Sequence, residues 1–93
     1  MPVRSIYIME SIYKLPLMLE PQPEGGYTIT CPLLHNLVTE ADTLEEVIPH
    51  VADALAALIE GYEELKQPLP AVLQPLPSAS TLWSETLIQI RTA

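Results

Sequence analysis

The chain has no phenylalanine, one cysteine, one tryptophan and three glycines. Each shortage excludes something. Aromatic residues make up only 5%, so any core must be filled by Leu, Ile and Val. The lone Cys31 cannot form an intramolecular disulfide, which suits a reducing compartment. Basic residues are as scarce: Arg4, Lys14, Lys66 and Arg91 are scattered along the sequence. Phosphate-backbone recognition needs clustered Lys and Arg, so direct nucleic-acid binding is not expected. No apolar run reaches the roughly 20 residues that span a bilayer. Glu10 and Lys14 interrupt the N-terminal apolar stretch, which argues against a secretory leader. The expectation is a cytoplasmic protein with no membrane contact.

What is present is apolar and acidic. The 93 residues suit one domain spanning 1–93, with 48% hydrophobic residues, 17% charged residues and a net charge of −8. So apolar a composition in so small a chain points to surface buried between subunits. The acidity would steer a basic partner.

The densest run of structural signals is Glu24 to Glu46, EGGYTITCPLLHNLVTEADTLEE. Glu24-Gly25-Gly26 is a turn, with positive φ expected at one of the glycines. Tyr27, Ile29 and Cys31 alternate with Thr28 and Thr30, as in a half-buried strand. Pro32 ends that strand, Leu33 to Asn36 read as a loop, and Leu37 to Thr39 as a second extended piece. Thr43 with Glu46 three residues later is a capping box, and Glu45 and Glu46 complement the helix dipole. From there Leu44, Ile48, Val51, Leu55, Leu58, Tyr62 and Leu65 fall at alternating steps of four and three, a helical stripe that Val47 and Ile59 widen. Pro49 lies inside this pattern and predicts a distortion over Glu45 to Pro49.

Before this stretch, residues 1–13 read as an N-terminal strand or arm. Residues 14–20 read as a strand, with Leu15, Leu17 and Leu19 on one side and Pro16 requiring an unpaired position. It should pair antiparallel with 27–31. After the helix, residues 67–82 hold Pro68, Pro70, Pro75 and Pro77 and read as a connector laid on the surface. Residues 85–91 (ETLIQIR) read as a last strand. Trp83 serves equally as an interface anchor or as a pin holding the connector.

No catalytic constellation stands out. Glu20, Asp42 and Glu85 could supply carboxylates for a metal-dependent nuclease, but nothing in the pattern makes them converge. Cys31, His35 and His50 lack the number and spacing of structural zinc ligands. Gly25-Gly26 lacks the Lys and following helix of a phosphate loop. The chain is therefore read as a non-enzyme with no cofactor and no metal.

The pieces LPLMLEP, EGGY, the Pro32-Leu33 loop, Thr39-x-x-Asp42-Thr43, and Leu44-Glu45-Glu46 opening a long helix together resemble the HicB-like antitoxin family, over roughly residues 14–70. The resemblance implies a partial ribonuclease H-like unit, β-β-β-α-β. The fold expected is α+β: an antiparallel sheet of three to four strands with one long helix on one face. It also implies a protein partner, a small basic mRNA-cleaving toxin of the HicA type, which the antitoxin neutralises by covering its active site. The alternative is a free-standing, self-associating module with no toxin partner. The sequence departs from the family pattern at Asn36 and Ala41, where glycine is usual. Nothing after residue 91 could form a DNA-binding module, so operator binding is not expected.

The partner contacts expected are the acidic residues and the hairpin Glu24, Gly25, Gly26 and Tyr27. One helix cannot cover both faces of a sheet, so a homodimer or larger homo-oligomer is expected as well.

Overall fold

The computed structural model describes residues 11–77 and 81–92. The N-terminal arm expected over 1–13 therefore lies almost wholly outside the described residues. Three antiparallel strands, β1 (Met18–Pro21), β2 (Tyr27–Cys31) and β3 (Leu34–Ala41), form a sheet in the order β1-β2-β3. A 3-10 turn, Leu44–Glu46, leads into one long helix, α1 (Val47–Glu64), which packs across the sheet most closely over β3. The architecture is α+β, as the element order predicts.

The β1-β2 hairpin closes through Gln22 to Gly26. The Gly25 N–H donates to the Gln22 carbonyl (2.9 Å) and the Gln22 N–H to the Gly26 carbonyl (3.0 Å). Both glycines take positive φ, +103° at Gly25 and +79° at Gly26. At Gly26 a side chain would also collide: a Cβ there would lie 2.9 Å from the Ala41 carbonyl oxygen.

β3 is longer than expected. It begins at Leu34, directly after a tight turn at Pro32-Leu33. Tyr27 to Thr30 pair with Ala41 to Val38 in register, but Cys31 pairs with Leu34. His35 to Leu37 are thus taken up by a bulge, which resets the alternation of side chains. Leu34 and Leu37 both point into the core although their spacing has the wrong parity for a regular strand. Asn36 lies in this bulge without positive φ, and Lys66 is the only described non-glycine residue that has it.

The entry to α1 shows the distortion that Pro49 predicts. The 3-10 turn precedes the α-helix, so Pro49 falls in the first turn of α1, where a backbone N–H has no intrahelical partner to lose. Glu46 Oε1 accepts from the N–H groups of Asp42 (2.9 Å) and Thr43 (3.3 Å), which forms the acidic half of a capping box. The buried line along the helix runs through Val47 and Val51, flanked by Leu44, Ala54, Leu55, Leu58 and Ile59. Ile48 and Leu65, which the expected stripe included, are 68% and 70% exposed. The 3-10 turn shifts the phase, so Val47 rather than Ile48 faces the sheet. Lys66 adopts φ 54° after the helix. The Gln67 N–H donates to the Tyr62 carbonyl (3.0 Å) and the Lys66 N–H to the Glu63 carbonyl (3.1 Å), a Schellman ending.

The Pro-rich segment corrects the reading as a surface connector. A short 3-10 turn, Ala71–Leu73, drives Leu73 into the core, where it is 0% exposed beside Ile29, Cys31, Leu37 and Val51. The Leu76 N–H then donates to the Ile12 carbonyl (2.8 Å). The expected last strand over 85–91 does not form. Residues 81–92 carry no strand and are exposed throughout.

Candidate protein-binding surface

The hairpin proposed as a contact splits into an outward and an inward half. Glu24 and Gly25 are exposed at the tip. Gly26 sits against Ala41 and Asp42, and the Tyr27 side chain packs on the core. The hairpin thus presents a carboxylate and a backbone turn, while its ring is largely spent on folding.

The sheet face away from α1 holds more. Strand register places Glu20, Thr28 and Glu40 in one cross-strand row. The next row is Met18, Thr30 and Val38. Cross-strand partners share a face, so an acidic row lies beside an apolar one. Met18, Val38, Glu20 and Glu40 are exposed. Thr30 Oγ1 is buried and has no hydrogen-bond partner, and its hydroxyl is capable of donating and accepting. Glu24 and Asp42 lie toward the hairpin end of the same sheet, and none of the four carboxylates makes a salt bridge among the described residues. Glu20 and Glu40 are separated by Thr28 of β2, so in the free protein they repel only weakly across the intervening strand. A cationic partner would relieve that repulsion.

The remaining candidates separate. Cys31 is buried as a free thiol among core side chains, and His35 is exposed on β3. His50 donates from Nδ1 to the Glu40 carbonyl (2.6 Å), tying α1 to β3. Among the described residues, no group of three or more His, Cys, Asp or Glu side chains could hold a metal ion. No described helix is long and apolar enough to cross a membrane. Trp83 is 78% exposed and so does not pin the connector to the core.

No family model matches the chain. A UPF0150 protein of Synechocystis is 33% identical over 70 residues, which make up 72% of this chain and 89% of that relative. The antitoxin HicB 1 of Photorhabdus laumondii is 37% identical over 57 residues, 61% of this chain but only 37% of that relative. The chain belongs to the HicB-like antitoxin family. At the two positions where the resemblance leads one to expect glycine, Asn36 is taken into the bulge and Ala41 is buried at the end of β3.

Sequence reasoning found the hairpin but not the two rows on the open face. Alternation does put Met18 and Glu20 on one side of β1. Their alignment with Val38 and Glu40 depends on the register across β2, and the bulge hides that register from pattern reading.

Proposed function

We propose that this chain is an antitoxin that binds and neutralises a small, basic, mRNA-cleaving toxin of the HicA type in the cytoplasm, with no catalysis of its own. The observation that carries the reading is the acidic row Glu20 and Glu40, flanked by Glu24 and Asp42, beside the apolar row Met18 and Val38. Opposed charge would speed encounter with a basic protein, and the apolar row would supply area to bury once contact is made. The relative named an antitoxin supports the same reading.

The test begins with a tagged pull-down from the native cell. Recovery of a small basic protein at near-equal stoichiometry, toxic when expressed alone and harmless with this chain, is the expected result. Glu20→Lys with Glu40→Lys should then weaken binding about tenfold or more, mainly through the association rate. Rescue by the doubly reversed protein at wild-type strength would remove the open sheet face from the contact.

A second reading, a self-associating module with no toxin, has one observation in its favour. The match covers most of the UPF0150 relative, whose name carries no partner, and just over a third of the named antitoxin. Recovery of the chain alone in the pull-down would favour it.

A further inference from the structure

Residues 81–92 behave unlike the rest of the chain. Ile88 and Ile90 are 75% and 73% exposed, close to the exposure of Trp83. The radius of gyration is 16.2 Å, against about 12 Å for a compact chain of this length. A segment rich in β-branched residues touches the body only through Glu85 to Leu87 and keeps Ile88 and Ile90 in water. Its own chain supplies half of a seat. A groove of about 460 Å³ runs between Leu15, Leu17 and Leu19 on one side and Leu44, Val47 and Ile48 on the other, and Glu85 to Leu87 form part of its wall. Among the described residues, no strand pairs with the outer edge of β1.

We propose that residues 85–91 are a pairing strand for a second copy of this chain. The segment ETLIQIR is self-complementary when two copies run antiparallel about Ile88. Glu85 then faces Arg91 of the second copy at both ends, Thr86 faces Ile90, and Leu87 faces Gln89. Opposite charges directly across an antiparallel pair stabilise it, and a shift of register would lose both ion pairs. Alternation puts Ile88 and Ile90 of both copies on one face, a continuous apolar patch that neither copy has alone. A two-stranded ribbon is marginal by itself. Here the groove and the outer edge of β1 in each copy give the ribbon flanking surface, so two sheets join through it around a two-fold axis. This inference does not depend on the antitoxin reading.

The test uses the full chain. Light scattering at roughly 50 micromolar, where a micromolar dimer is mostly formed, should give twice the 10.3 kDa chain mass. Ile88→Lys places two cations on the two-fold axis and should raise the dimer dissociation constant about tenfold or more. The helical circular dichroism of this variant should be unchanged, because the side chain is exposed. Glu85→Arg and Arg91→Glu should each weaken the dimer about fivefold, and together restore it. Under mild oxidation Ile88→Cys should cross-link rapidly. Glu85→Cys should not, because its two copies would lie about 20 Å apart. A chain that stays monomeric overturns the proposal. So does a dimer that Ile88→Lys leaves intact, and failure of the charge swap to restore pairing overturns the register.

Discussion

Two segments follow the helix, and both are apolar and punctuated by proline or polar residues. One ends up as the centre of the molecule and the other outside it. Leu73, in the Pro-rich segment, is the most buried residue of the core at 0% exposure, whereas Leu87 and Ile88 remain in water. The difference does not come from hydrophobicity, since all three residues are large aliphatics. It comes from what each segment is fastened to. The Schellman ending at Lys66 turns the chain back over the sheet, the 3-10 turn aims Leu73 into the gap beside α1, and the Leu76 N–H is held by Ile12. Among the described residues, 81–92 make no backbone hydrogen bond to the body and meet it only along the groove at Glu85 to Leu87. Proline, read in sequence as a mark of surface, here stiffens a segment and lowers its cost of ordering.

The widest test of this contrast is truncation of one side chain on each side of it. Leu73→Ala should destabilise the fold by about 2–4 kcal/mol, measured by urea or thermal unfolding. Leu87→Ala at low protein concentration should lie within about 0.5 kcal/mol of the parent, as for other exposed positions. Equal losses at the two sites would break the comparison.

The same split operates inside the hairpin on a smaller scale. Gly26→Ala should cost about 1–3 kcal/mol, because it adds a left-handed backbone penalty to the collision with the Ala41 carbonyl. Gly25→Ala meets open space and should cost less. A reversal of this order in thermal melts would mean that the turn repacks rather than strains.

Lys66 sharpens the account of how the Pro-rich segment is aimed. Lys66→Gly removes a left-handed penalty of about 1–2 kcal/mol and adds unfolded-chain entropy worth about 0.4–1 kcal/mol, so it should stabilise the protein by up to about 1 kcal/mol, with the gain appearing in the unfolding midpoint. The smallest effect belongs to Trp83, the single tryptophan of the chain. Trp83→Ala should leave the melting temperature of the dilute protein nearly unchanged, and its parent fluorescence should be that of a solvated indole.

Much of the fold was legible in the sequence because its signals are local. The turn at Gly25-Gly26, the alternation of 27–31, the Thr43 and Glu46 spacing and the long helical period each act within a few residues. The distortion at the entry to α1 was legible for the same reason: the restriction Pro49 imposes is a property of one residue. The hairpin itself was likewise visible as a turn with a carboxylate at its tip. What pattern could not supply was the row of Glu20 with Glu40, since those residues are brought together only through Thr28 of β2.

The sequence by itself determined which segments could be strand, turn and helix, and that one face of the sheet would be covered by a single helix. Tertiary structure alone decided three things. The bulge at His35 to Leu37 made Leu34 and Leu37 core residues together. The 3-10 entry turned Val47 inward and Ile48 outward. The return of the chain gave the last core position to Leu73 and left Ile88 outside. Each is a choice between aliphatic side chains of nearly equal burial energy, so local preference could not rank them. Only the register of the sheet and the remaining space beside the helix could do so.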